Sequence, residues 1–365
     1  MDLTELLKLI EEMPAFRRLV TGKDETPVSA CPEQSERVLD AAKPYLIAAL
    51  FQKWRQPMLV VTAQPENAKK LYEQLAIWTN GLALSKSNGQ VKFFPEPDVL
   101  PYERITSDVA TELERVQVLS ALVNCGPGGS SAPLVVTSAP ALMRKLPGYS
   151  DFAPACHTVR QGMEVEPMDL LGQWERMGYR RESIVEIPGT MSRRGGIVDI
   201  YPPTSEFPAR LEFFGNTIES LRHFDPLSQC STKTIASIAI SPATELLRPL
   251  VMGRSDLERL LNGVDLSGTN DELRQQFRQE IEMIRERQRP PNLQFYSALF
   301  NDDTLLSYLP RNALLVLDEP RDIEQSVEEF DAEAVELRSV KLERGELPRN
   351  FPQSYFGWNE LAPLI

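Results

Sequence analysis

Few features restrict a fold as tightly as a two-residue loop between two alternating runs, and this chain carries one at Gly215-Asn216. Before the loop stands Ala209-Arg210-Leu211-Glu212-Phe213-Phe214, with period two; after it a third β-rich run extends from Thr217 to Phe224. Such a pair predicts a β-hairpin. The loop also sets the register, with Phe214 opposite Thr217 and Phe213 opposite Ile218. Ala209, Leu211, Phe213 and Ile218 then share the core face, and Arg210, Glu212 and Phe214 share the other, because side chains alternate along a strand. An exposed Phe beside an Arg is the material of protein interfaces. The other reading is a helix covering that face, with Phe214 in the core, and pattern alone leaves both open. The first run of the three lies just upstream, punctuated by Gly195-Gly196 and ended by Pro202-Pro203.

Around this region, strand and helix patterns alternate. Apolar runs at 57–62, 91–94, 134–138 and 312–320 read as buried strands, and helical periodicity marks 2–18, 32–54, 65–79, 108–124 and 139–146. Alternation of this kind predicts a parallel sheet with helices packed on it. Residues 155–242 interrupt it with a strand (159–165), a helix (168–177) and the three β-runs. The expected organisation is α/β: a parallel-sheet domain split into 1–150 and 243–320, a small inserted α+β domain at 155–242, and a charged exit helix or linker over 321–365. Within 270–289, Phe277, Ile281 and Ile284 form an apolar stripe on an otherwise charged helix. Its basic end, Arg285, Arg287 and Arg289, is a minor nucleic-acid candidate. Glu112 and Arg115 have the spacing of a helical side-chain pair.

The chain has 365 residues, enough for two or three domains with real cores. A net charge of −13 argues against broad non-specific nucleic-acid binding, which needs a basic surface. No apolar run approaches membrane-spanning length, and the acidic start Met1-Asp2-Leu3-Thr4-Glu5 is not a secretory signal, so a cytoplasmic protein is expected. Cys31, Cys125, Cys156 and Cys230 lie far apart in no metal-ligand spacing and read as free thiols. His157 and His223 read as structural. The GPGGSS loop at 126–131 enters a strand and lacks a following Lys, so it reads as a loop and not a phosphate cradle.

Three segments, RRGGIVDIYPP (193–203), RLEFFGNTIESLRHFDPLSQ (210–229) and WERMGYRR (174–181), resemble the UvrB-like amino-terminal region of bacterial transcription-repair coupling factors. The excision-repair helicase UvrB carries the same type of segment. Weaker similarity extends the resemblance from about residue 20 to about residue 320, and Leu100-Pro101-Tyr102 is typical of the family. The resemblance implies a RecA/P-loop-NTPase-like sheet domain and an inserted domain that docks UvrA. The contact residues it implies are Arg194, Arg210 and Phe214. Glu212, Glu219 and Arg222 are weaker candidates, whose other reading is cross-strand pairing.

UvrB carries a Gly-rich phosphate loop where this chain reads Val38-Leu39-Asp40-Ala41-Ala42-Lys43-Pro44-Tyr45. A phosphate loop needs glycines whose N–H groups curl around phosphate, then Lys and a hydroxyl for Mg²⁺. Here Lys43 is the remnant lysine, no glycine is present, Pro44 replaces the hydroxyl and Asp40 adds repulsion. Asp318-Glu319, closing the apolar run at 312–320, resembles the carboxylate pair of the same lost site. The site is expected to be dead, with no cofactor, and the DNA-clamping hairpin of UvrB has no equivalent between 62 and 95. The chain is thus expected to be a non-catalytic UvrA-recruiting module and a fragment. The family's RNA-polymerase-binding and ATP-dependent DNA-translocase parts would lie outside it. The alternatives are an ATP-dependent helicase subunit of the UvrB type and a direct DNA-binding module.

Overall fold

The computed structural model describes residues 7, 9–21, 38–80, 90–97, 99–105, 108–125 and 132–365. Twelve strands run through them in chain order: β1 (Met58–Thr62), β2 (Val91–Phe94), β3 (Leu134–Ser138), β4 (His157–Arg160), β5 (Arg180–Arg181), β6 (Thr190–Arg194), β7 (Ile197–Tyr201), β8 (Ala209–Phe214), β9 (Thr217–Phe224), β10 (Ser231–Thr234), β11 (Ser237–Ile240) and β12 (Leu314–Leu317). The GPGGSS loop at 126–131 lies outside the described residues.

The protein is a mixed α/β structure with one parallel sheet and two further sheets. The parallel sheet has the order β12-β1-β3-β2. Its central strands, MLVVT and LVVTS, are buried along their whole length, which is why they lack a polar face. Their side chains divide by parity. Leu59, Val61 and Val135 enter a core with Val118, Leu119, Phe277 and Tyr308, while Met58, Val60, Leu134 and Val136 enter another with Leu50, Phe51 and Leu75. The edge strand β12 pairs with β1, although the other two sheets are built between β3 and β12 in the chain.

Those two are a six-stranded sheet, β10-β9-β8-β7-β6-β5, and the antiparallel pair β11-β4. With the helix Pro167–Arg176 they enclose a core of their own, including Val159, Leu170, Trp174, Met191, Val198, Leu211, Leu221 and Ile238. Both histidines serve this part structurally. His157 Nε2 accepts from the Trp174 indole at 3.2 Å, and His223 Nδ1 lies 3.2 Å from the Pro208 carbonyl.

Several expected elements change. The helix read over 2–18 breaks at Glu11-Glu12 and restarts as Pro14–Thr21, with the proline at a helix start where its missing N–H costs nothing. Of the helix read over 32–54, the described part is a 3-10 turn at Asp40–Ala42 and an α-helix over Lys43–Trp54, again with a proline in its first turn. β4 stops at Arg160 because the chain turns at Gly162, whose φ is +81°. The helix Pro320–Glu343, read as an exit linker, is instead part of the main core: Ile323, Val327, Phe330 and Ala334 are buried there, followed by Leu347, Phe351, Tyr355 and Leu361.

Glu112 and Arg115, on the helix Val109–Val123, do not pair with each other. Arg115 binds Glu245 at 2.5 and 3.1 Å, donates to the Pro95 carbonyl at 2.7 Å and lies over the Phe94 ring. Glu112 accepts from Thr244 Oγ1 and Arg289 Nη2, both at 2.6 Å, and from the Glu245 N–H at 3.1 Å. Burial pushes the Glu245 carboxyl up and Arg115 counters it. Arg115→Met strands that carboxylate and is expected to cost about 3–5 kcal/mol of unfolding free energy in urea. The double variant Arg115→Met/Glu245→Leu is expected to be less destabilised than Arg115→Met alone.

Candidate functional site

The hairpin forms with the expected register: Phe213 opposes Ile218, Phe214 opposes Thr217, and Gly215 takes φ +59° in the turn. Ala209, Leu211 and Ile218 are buried together. A bulge not evident in the sequence follows, since Glu212 pairs with Ser220 and Phe213 with Ile218. Glu219 is the extra residue. The bulge lets Ile218 and Leu221 both reach the core although three positions apart.

The opposite face centres on Asp199, a residue that the reading of the face had overlooked. It stands directly across from Arg210 on the neighbouring strand. Its side chain is only 1% exposed, so an ionised carboxylate there needs partners. Asp199 Oδ1 accepts from Arg210 Nε at 2.8 Å, and Oδ2 accepts from Arg210 Nη2 at 2.9 Å and Arg194 Nη2 at 2.8 Å. Hydrogen bonding to Asp199 holds Arg210 above the ordinary arginine value. The guanidinium also sits over the Phe224 ring, 4.6 Å from its centre, and donates to the Gln229 carbonyl at 3.1 Å. The one available signal for Asp199 was an acid between Val198 and Ile200 in an apolar strand.

The six candidate contact residues thus divide. Phe214 is 79% exposed, so no helix covers it and it is not core. Arg194 is 53% exposed and is steadied by Asp199 at one nitrogen. Arg210 is only 15% exposed, and its fork is spent inside the fold, so it is first a structural residue that borders the face. Arg222 and Glu212 form a partly exposed ion pair at 3.4 Å, which realises the cross-strand reading. Glu219 is exposed on the bulge.

Lys43, Asp318 and Glu319 also meet. Asp318 follows β12 at the carboxyl end of the parallel sheet, its N–H bonded to the Val61 carbonyl at 2.9 Å. Ligands bind at that end in open α/β sheets. Lys43, at the start of its helix, reaches the same point. Its Nζ lies 2.7 Å from Asp40, 2.7 Å from Asp318 and 2.9 Å from Glu319. An ammonium has three N–H donors, and here three carboxylates take them. Partial burial alone would lower the lysine's pKa, but the bonds to Asp318, Asp40 and Glu319 prevail and raise it. The cluster carries an excess of negative charge and would repel a phosphate.

Elsewhere the basic cluster at 285–289 is occupied. Arg285 pairs with Glu282, Arg289 with Glu112, and Arg287 donates to the Leu250 and Met252 carbonyls. Among the described residues no group of His, Cys, Asp and Glu is placed to hold a metal ion, and no helix is long and apolar enough to cross a membrane.

The face centred on Asp199 belongs to a β-rich region with its own core. Residues 158–246, which contain all six candidates, match the family described as the UvrB interaction domain. The whole chain is similar to transcription-repair-coupling factors. It is 29% identical to that of Bacillus subtilis (strain 168) over 359 residues, 95% of this chain and 29% of that protein. It is 35% identical to that of Myxococcus xanthus over 207 residues, 57% of this chain and 17% of that protein. It is 25% identical to that of Escherichia coli (strain K12) over 330 residues, 86% of this chain and 26% of that protein. The chain therefore spans less than a third of the length of these relatives, and it has the character of the UvrB-homology module of that family.

Asp199→Ala removes the shared acceptor of two arginines and is expected to lower unfolding free energy by about 1.5–3 kcal/mol in urea titration, the range for hydrogen bonds to charged groups. For the lysine cluster, isothermal titration with Mg²⁺-ATP at millimolar concentration is expected to show no binding. Lys43→Met is expected to lower the melting temperature, because three neighbouring carboxylates lose their shared counter-ion.

Proposed function

We propose that this chain is a non-catalytic protein-binding module of a transcription-repair coupling factor. In nucleotide excision repair it recruits UvrA to stalled transcription sites by presenting the face that UvrB would otherwise present. The observation that carries the reading is the exposed Phe214 and the half-exposed Arg194, in a sheet held by buried Asp199, within the segment that matches the UvrB interaction domain. Similarity to coupling factors over most of the chain supports the setting in transcription-coupled repair.

The body is read as a nucleotide-hydrolase-like fold of the RecA/P-loop type, split in sequence by the 155–242 module. The parallel sheet with a core on each face supports this, as does the meeting of Lys43 with Asp318 at its carboxyl end. Saturation of Lys43 by three acids supports a body that does not hydrolyse nucleotide. It weighs against the helicase-subunit alternative. RNA polymerase and DNA are proposed partners of other parts of the full-length protein, working in the cytoplasm.

Purified UvrA titrated against the chain tests the reading. Phe214→Ala is expected to weaken binding by about 1–3 kcal/mol, the usual range for an interface anchor, with circular dichroism unchanged. Arg210→Ala is expected to weaken binding and stability together, because its fork is built into the sheet. Unaltered UvrA affinity in Phe214→Ala would discard the face.

A further inference from the structure

The most exposed large apolar side chain among the described residues is neither Phe214 nor part of any core. It is Leu227, 88% exposed, in the turn that joins β9 to β10. An exposed leucine on a mobile tail would mean little, but this one is held. Asp225 Oδ1 accepts from the Leu227 N–H at 3.2 Å and the Ser228 N–H at 2.7 Å. The Asp225 N–H bonds the Cys230 carbonyl at 3.0 Å, and Gln229 N–H bonds the Asp225 carbonyl at 2.8 Å. Gln229 closes the turn with φ +60°.

The same turn is wired to the docking face. The Gln229 carbonyl accepts from Arg210 Nη1 at 3.1 Å, so the arginine that binds Asp199 also grips the loop carrying Leu227. The Gln229 side-chain amide donates to the Pro226 carbonyl at 2.7 Å and to the Val185 carbonyl at 3.2 Å. One nitrogen thus ties the neighbour of Leu227 to the neighbour of Ile184, itself half exposed. Leu227, Ile184 and Arg210 belong to one hydrogen-bonded unit at the end of the sheet away from Phe214.

We propose that Leu227, with Ile184 beside it, is a second apolar anchor for the partner that binds Phe214, seated in an apolar recess of UvrA. The inference rests on the UvrA-docking reading of the face. Strand rise is about 3.3 Å per residue, so Phe214 lies ~13 Å from Arg210 and somewhat further from the turn. A standard interface covers about 800 Å² per partner, roughly 30 Å across, and holds both ends of this face at once. Burying a leucine that water now surrounds is favourable, and a turn already fixed loses little freedom when it docks.

The test measures UvrA affinity of the full chain by biolayer interferometry for Leu227→Asp, Leu227→Met and Phe214→Ala, with melting temperatures recorded alongside. Leu227→Asp is expected to weaken binding tenfold or more, Leu227→Met to stay within about twofold, and neither to shift the melting temperature, since the side chain touches no core. If Phe214→Ala weakens binding while Leu227→Asp does not, the second anchor is overturned and the docking reading stands. If neither variant changes affinity, the docking reading itself has failed.

Discussion

The buried network around Arg115 and Glu245 holds the two halves of the architecture together. Helix Val109–Val123 belongs to the core of the parallel sheet, whereas Thr244 and Glu245 lie just past the last strand of the smaller β-region. Glu112, Glu245 and Arg115 are buried there with the partly exposed Arg289 at the edge, and every carboxylate oxygen of Glu112 and Glu245 has a donor. Such a junction adds little net stability compared with apolar packing, yet it is intolerant of a missing partner. It therefore acts as a geometric latch: the returning chain fits in one position, and the β-region is carried in one orientation.

Charge performs a related task in the two sites, with opposite consequences. At Asp199 one buried acid serves two arginines, of which Arg194 is half exposed. At Lys43 one cation serves three acids, leaving a negative surplus where a nucleotide hydrolase needs a positive one. The second arrangement is a clasp between a helix start and the end of β12. Both follow from the same rule, that a buried ion must be paired and the stoichiometry of pairing sets what remains for a ligand.

Much of the hairpin could be read in the sequence. Gly215-Asn216 specified the turn and the register beside it, and period two put Leu211 and Ile218 on one face and Phe214 on the other, while only the structure decided that Phe214 is uncovered. The bulge at Glu219 was not legible, because nothing in the TIES tetrapeptide distinguishes a continuous strand from one with an extra residue. Nor was the burial of Arg210, since alternation says which face a side chain shares and not what lies on that face. The Pro320–Glu343 helix misled for a related reason. Its sparse apolar positions, Ile323, Val327, Phe330 and Ala334, are diluted by charge, and only the neighbouring core shows that they are covered.

Local order is thus what the sequence by itself determined: the buried strands and the hairpin with its turn. These depend on residues a few positions apart, where backbone sterics and periodicity act directly. Tertiary structure alone decided the ion partners. Arg115 binds an acid 130 positions away and Lys43 one 276 positions away. Coulomb attraction carries no preference for sequence separation, so packing chooses which charges meet, and with them which arginines remain free to greet another protein.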